Sequence, residues 1–287
     1  VLYKTQSDLE QLAQTKGDIT GLPTGFYDLD KITSGLHKNE LIIIAARPAM
    51  GKTAFVLNLA TNIAMNAKKT VALFNLEMGA EQLASRMLAS VGQIEGKKLS
   101  TGKLEHNDWK RVNEAISRLA DTKIFIDDTP GMTISEIRAK CRRLASSEAG
   151  LDLVIIDYLQ LVQGSSKYAG QRQQEIAEIS RALKTMAMEL EIPVIAAAQL
   201  SRSVESRDDK RPILSDLRES GSIEQDADIV AFLYRDDYYN KDTAISPDVS
   251  RSEFIIRKHR SGPTGTVDLL FRKNTSTFVN FVEAEES

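Results

Sequence analysis

A chain of 287 residues with 42% hydrophobic content has material for one large buried core or two smaller ones. Its formal charge of −3 excludes a whole-molecule attraction to nucleic acid, so any such contact must come from local basic groups on one face. No apolar run approaches the roughly 20 residues of a membrane helix and no charged-then-apolar leader opens the chain, so the expected location is cytoplasmic with no membrane partner; a lone cysteine and three histidines exclude an internal disulfide and a zinc-type ligand set.

The chain begins at Val1, and Leu2, Leu9 and Leu12 recur on a charged background before Gly17, which predicts a short amphipathic helix at the leading edge of a piece of a longer protein. Five β-rich apolar runs follow at 41–46, 70–76, 124–126, 153–156 and 193–198, and amphipathic stretches at 53–66, 80–91, 107–120, 135–146 and 171–190 alternate with them. That alternation predicts an α/β fold, a mainly parallel twisted sheet with helices on both faces. Thr133 and Glu136 stand in capping-box spacing at the head of the fourth helix. Within it Cys141 shares a face with Ile134, Ile137 and Leu144, the place of a small buried hydrophobe rather than a reactive thiol.

After Gln199 the texture changes. The segment SRSVESRDDKRP is polar, and short strand-like runs at 229–234 and 253–257 precede two more around a turn at Asn274 and Thr275. These runs are expected to extend the sheet antiparallel, the last pair as a hairpin. Loop composition marks 164–170 and 201–212. In the second, Arg202, Arg207, Lys210 and Arg211 alternate with Glu205, Asp208 and Asp209 and read as a solvated loop without a specific contact.

Residues 46–53 read ARPAMGKT, the phosphate-loop pattern GxxxxGK(S/T) with Ala46 in place of the first glycine. A strand enters the loop and a helix leaves it, so the helix's first N–H groups and dipole point where a polyphosphate would sit. Arg47, Pro48, Ala49, Met50, Gly51, Lys52, Thr53 and Ala54 are the expected cradle for ATP. Lys52 is expected on the β- and γ-phosphates and Thr53 on Mg2+. Three more strands end in polar residues: TVALFNLEM leaves Glu77, LDLVIIDYLQL leaves Asp157 and PVIAAAQLSR leaves Gln199. In an open parallel sheet the ligand crevice lies at the carboxyl ends of the strands, so these side chains are expected to converge on the same phosphates. Glu77 would orient and deprotonate the attacking water, Asp157 would bind magnesium as the Walker B acid, and Gln199 would sense the γ-phosphate. Singly, Glu77 or Gln199 is an ordinary solvated strand end; jointly with the loop they form a catalytic set.

These residues resemble the motor domain of DnaB-type bacterial replicative helicases. The resemblance runs from about residue 17 to 283 and rests on GLPTGFYDLDKITSGL, ARPAMGKT, LFNLEM, LVIIDYLQL, AAQLSR, SDLRESGSIEQDADIV and RKHRSGPTG. It implies a RecA-like P-loop NTPase fold over 17–287, with 1–16 as the linker helix that packs on an adjacent motor domain. It also implies a homo-hexameric ring or spiral with ATP at each subunit interface, and 5′ to 3′ travel on single-stranded DNA. Primase and a helicase loader are the partners it implies for the longer protein. By the same likeness, Lys258 and Arg260 reach a neighbour's γ-phosphate, Arg260 as the arginine finger; by spacing alone Lys258, His259 and Arg260 read more readily as a solvated basic run.

Two loops suit a single strand of DNA. GSSKYAGQRQQ offers Lys167, Tyr168 and Arg172, and LRESGS offers Arg218, Glu219, Ser220 and Gly221, where the resemblance places backbone contacts facing a central channel. Two rival readings share the same motifs: a RecA/RadA-like recombination or repair ATPase, and an ATP-switched scaffold on DNA.

Overall fold

The computed structural model describes residues 19–168, 170–217, 221–243 and 245–282. The predicted linker helix at 1–16 lies outside them. Nine strands form one sheet: β1 (Leu41–Ala46), β2 (Val71–Asn75), β3 (Ile124–Asp127), β4 (Leu153–Asp157), β5 (Val194–Gln199), β6 (Ile229–Tyr234), β7 (Val249–His259), β8 (Gly265–Arg272) and β9 (Thr277–Asn280). Their order is β3-β2-β4-β5-β1-β6-β7-β8-β9. The described helices are α1 (Tyr27–Thr33), α2 (Lys52–Asn66), α3 (Ala80–Gly92), α4 (Gly96–Thr101), α5 (His106–Ala120), α6 (Ile134–Ala145), α7 (Arg172–Leu190) and α8 (Gly221–Asp226).

Strand β1 explains the layering. All six of its residues, LIIIAA, are buried. Ile42, Ile44 and Ala46 face a core filled by Phe55, Leu59 and Ile63 of α2 and Leu83 of α3. Leu41, Ile43 and Ala45 face a second core holding Ile137 and Cys141 of α6 and Ile179 and Leu183 of α7. A strand covered on both faces reads as an unbroken apolar run, as parallel strands do. Cys141 is fully buried, and burial pushes its thiol up to about 12, far from any reactive state at neutral pH.

From β3 to β6 every neighbouring pair is parallel, whereas β6–β7, β7–β8 and β8–β9 are antiparallel. This corrects the expectation for 229–234. Between β5 and β6 the chain passes through α8 back to the starting end of β1, where Asp228 N donates to Leu41 O at 2.9 Å, and so β6 enters in the direction of β1. The reversal waits until β7. The last two strands form the expected hairpin, Phe271 opposite Phe278.

Helix ends follow their sequence signals. Thr133 and Glu136 cap α6 reciprocally, Thr133 N donating to Glu136 Oε2 at 2.7 Å and Glu136 N to Thr133 Oγ1 at 3.2 Å. The loop at 201–212 corrects the solvated reading of two of its arginines: Arg207 grips both oxygens of the buried Asp216 at 2.7 and 2.9 Å, and Arg211 grips both of Glu253 at 2.9 and 2.6 Å.

One buried carboxylate ties α4 to α5. Asp108 accepts from Lys98 Nζ at 2.8 Å, Glu105 N at 3.1 Å and Arg111 Nη2 at 2.5 Å, and the Lys98 bond first, then the Glu105 amide, hold its carboxyl down at about 2. A folded value below the unfolded one, about 3.9, means stabilisation that is complete above that value and disappears as pH falls toward 2. Asp108→Asn should therefore lower the urea midpoint at pH 5 and above, and the gap from the parent should close between about pH 4 and pH 2. A gap independent of pH would show that packing, not charge, is what the carboxylate contributes.

Candidate nucleotide site

The topology brings the predicted residues together. β2, β4, β5 and β1 are consecutive neighbours whose carboxyl ends lie at one rim, and the register sets Asn75 beside Asp157 and Ala46 beside Gln199. A cleft of about 490 Å³ opens there, lined by Arg47, Pro48, Ala49, Gly51, Lys52, Thr53, Ala54, Glu77, Arg86, Gln199 and Phe271. Asp157, fully buried, lies behind the lining in contact with Lys52 and Thr53.

The loop's shape comes from a few backbone requirements. Ala46 closes β1 as a buried strand residue and has no positive φ, so the missing first glycine removes nothing the turn needs. Gly51 does need to be glycine: its φ is 96°, and a Cβ there would stand 2.9 Å from the Phe278 ring. As the N-cap of α2 it also offers no side-chain acceptor, which leaves the first amides of a 15-residue helix to an anion. Met50 turns its side chain into the core, so only its backbone belongs to the cradle. Arg47 faces inward as well, donating to Glu205 Oε1 at 2.9 and 2.8 Å and to Leu200 O at 2.8 Å. It clasps the loop after β5 to the phosphate loop.

Around Asp157 the charges are matched. Lys52 Nζ lies 3.1 Å from Oδ1, and Thr53 Oγ1 donates to Oδ2 at 2.6 Å. Oδ1 accepts no hydrogen bond, so this buried oxygen depends on Lys52 for compensation. The ammonium also sits 4.0 Å from the centroid of the Tyr158 ring. Burial, with the Glu77 and Asp157 charges nearby, pushes the Tyr158 phenol above its ordinary value. A hydroxyl and a carboxylate oxygen in direct contact, beside an oxygen with no hydrogen bond, form a donor set that fits a hard divalent cation brought in with a nucleotide.

Two positioning residues escaped the sequence reading. Asn75 donates to Asp157 Oδ2 at 3.2 Å and accepts at Oδ1 from Glu77 N at 3.1 Å and Met78 N at 2.8 Å. It thereby fixes the turn that presents the exposed Glu77 relative to Asp157; the polar letter ahead of Glu77 in LFNLEM was the available signal. Gln160 holds both backbone groups of Gln199, donating to its carbonyl and accepting from its amide, each at 3.1 Å.

The remaining predicted residues lie elsewhere. Lys258 donates to the carbonyls of Glu224 and Gln225, and burial, then the Arg260 charge, lowers its ammonium below the usual lysine range. Arg260 bonds Asp228 Oδ1 at 3.1 Å and Gln225 O at 3.0 Å. Both are at the starting end of β6, where His259 pairs with Ile229, and so at the opposite end of the sheet from the phosphate loop. Lys167 is exposed, near the Tyr168 ring, and Arg172 directs its guanidinium to Glu175 and to the carbonyl of Gln160. Gly221 begins α8, while Arg218, Glu219 and Ser220 fall outside the described residues.

A mainly parallel sheet between two helical layers, with a phosphate loop and three polar strand ends on one rim, defines a RecA-like P-loop nucleotide-binding domain. The chain belongs to the family of DnaB-like helicase C-terminal domains, whose model matches residues 21–280. It is 58% identical over 280 residues to the replicative DNA helicase DnaC of Bacillus subtilis and 56% identical to the replicative DNA helicase DnaB of Geobacillus stearothermophilus. Each alignment takes in 98% of this chain and 61% of the relative, so the chain spans about three fifths of the length of the curated relatives it matches. Among solved structures it resembles a DnaB-like replicative helicase described with its interactions with primase, with a TM-score of 0.89 and 42% identity, covering 98% of this chain and 67% of that one. It also resembles a solved ATPase domain at a TM-score of 0.91 and 43% identity, 98% of each chain being covered.

Proposed function

We propose that this chain is the ATP-driven motor of a replicative DNA helicase, working as a homo-hexamer that travels 5′ to 3′ on single-stranded DNA and separates the duplex ahead of it. The observation that carries this reading is the gathering of Lys52, Thr53, Glu77 and Gln199 around one cleft over a buried Asp157.

Phosphoryl transfer to water passes through a loose transition state, so the protein's task is positioning and charge neutralisation. The amides at the head of α2 cradle the phosphates, and Lys52 meets the β- and γ-oxygens. Glu77, held by Asn75, orients the water and takes its proton. Gln199 projects from β5 toward the γ-phosphate and registers its presence. Thr53 and Asp157 would hold Mg2+, which when bound neutralises phosphate charge. Lys258 and Arg260 complete the site of the next subunit. DNA contacts fall to Lys167 and to the segment 218–221, with Arg172 braced behind the first loop. Primase, which the solved DnaB-like helicase meets, and a loader are the expected partners of the whole protein in the cytoplasm.

Unwinding of a forked duplex separates this reading from its rivals. With ATP, the chain assembled on a 5′ tail should release the complementary strand, while a recombinase would form open filaments and exchange strands. ATP-dependent assembly with no strand release would favour the scaffold.

A further inference from the structure

Gln160 sits where β5 loses a strand partner. On one side Gln199 pairs with Ala46 of β1, but on the other the ladder with β4 ends at the pair Ile156 and Ala196. β4 stops at Asp157, and the chain enters a 3₁₀ turn, Leu159–Leu161, leaving the amide and carbonyl of Gln199 without a strand beside them. The side-chain amide of Gln160 takes that place, one donor and one acceptor in the pattern a peptide group would supply. Side-chain amides that continue a ladder fix the backbone they bind, and here that backbone carries Gln199, which lines the nucleotide cleft.

The other end of Gln160 is also held. Arg172, at the first position of α7, donates to the Gln160 carbonyl and pairs with Glu175 Oε2 at 2.5 Å. Glu175 accepts from Gly164 N at 3.1 Å and Glu178 from Ser165 N at 2.8 Å. Gly164 is pressed against α7, since a Cβ there would meet the Glu175 side chain at 2.6 Å. Thus the loop carrying Lys167, the first turns of α7, Gln160 and Gln199 form one continuous set of bonds.

We propose that Gln160 is a positioning residue that couples the Lys167 loop to Gln199, so that DNA held by the loop sets the backbone of the γ-phosphate sensor. The proposal rests on the motor reading given above. A displacement of the loop on DNA would move the start of α7, and through Arg172 and Gln160 it would shift the end of β5. Neither Gln160 nor Arg172 needs to touch nucleotide for this.

The test compares ATP turnover with and without oligo-dT in the parent chain, Gln160→Ala, Arg172→Met and the double variant, alongside KM for ATP and affinity for oligo-dT. In Gln160→Ala the ratio of DNA-stimulated to basal turnover should fall about tenfold, with KM for ATP and oligo-dT affinity within about twofold of the parent, since both hydrogen bonds to the Gln199 backbone are lost and no ligand contact is. Gln160→Glu keeps the acceptor for the Gln199 amide but sets a second acceptor oxygen against the Gln199 carbonyl, so it should not restore the ratio, while melting temperatures close to the parent's in both variants would exclude a loss of folding as the cause. The double variant should be no worse than the more damaged single variant, the mark of two members of one path. A stimulated parent together with an unchanged ratio in Gln160→Ala, or additive losses in the double variant, would overturn the coupling while leaving the motor intact. A parent chain that DNA does not stimulate would overturn the motor reading, and the coupling with it.

Discussion

Lys52→Ala should lower ATP turnover on the order of 10³-fold, because it removes an ammonium that lines the cleft, in a site whose chemistry is mostly charge neutralisation. The same substitution removes the partner of a buried carboxylate: Asp157 is fully buried, and its Oδ1 has Lys52 Nζ at 3.1 Å and no hydrogen bond. Breaking a buried ion pair from one side costs about 3–5 kcal/mol, a large part of a domain's stability. Thr53 and Asn75 still hold Oδ2, which limits the damage. Lys52→Arg separates the two effects. It keeps a cation beside Asp157 and should melt near the parent temperature. Yet it replaces a compact ammonium by a planar fork and should remain at least about tenfold impaired. Turnover and thermal melting measured together on both variants decide the matter. Parent-like turnover in Lys52→Ala would remove the phosphate-loop assignment, and full recovery by arginine would show that charge without geometry is enough.

The rim that gathers Lys52, Thr53, Glu77, Asp157 and Gln199 was readable in the sequence because each of its parts is local. Lys52 and Thr53 follow an apolar strand, Glu77, Asp157 and Gln199 each end one, and a parallel sheet collects such ends on one side. What escaped depends on register between distant segments. Asn75 acquires its role from standing beside Asp157, 82 residues away, and Gln160 from reaching Gln199, 39 residues away. The direction of β6 was misjudged for the same kind of reason: the run IVAFLY has no polarity of its own, and α8, through which the chain passes to reach it, has only six residues, fewer than two helical turns of pattern. α1 and α4, at seven and six residues, are likewise too short for a helical period to stand out. Arg207 and Arg211 looked solvated because their partners, Asp216 and Glu253, lie beyond the loop's own acidic residues.

Arg260→Ala should leave the isolated chain folded but stop the assembled motor, and mixed assemblies should show why. β1 has six residues, so about 20 Å of sheet separates the phosphate loop from the end where Arg260 lies. Arg260 is therefore remote from the phosphate loop of its own chain. A head-to-tail ring, in contrast, sets one subunit's far side against the next subunit's cleft. The guanidinium is half exposed, and its ion pair with Asp228 contributes about 0–1 kcal/mol. If it leaves, Asp228 keeps Lys184 at 2.6 Å and the Leu41 amide at 2.8 Å. Departure is therefore cheap beside the 10³-fold or larger rate effect, roughly 4 kcal/mol, that an arginine on the transferring phosphate can contribute. The variant's melting temperature should stay close to the parent's, and its DNA-stimulated turnover should fall at least about 10³-fold. When variant and parent subunits are mixed in equal amounts and a single defective interface halts a six-subunit ring, activity should drop to roughly one sixty-fourth rather than one half. Activity proportional to the parent fraction would place Arg260 at work within its own subunit, against the sheet geometry, or outside catalysis altogether.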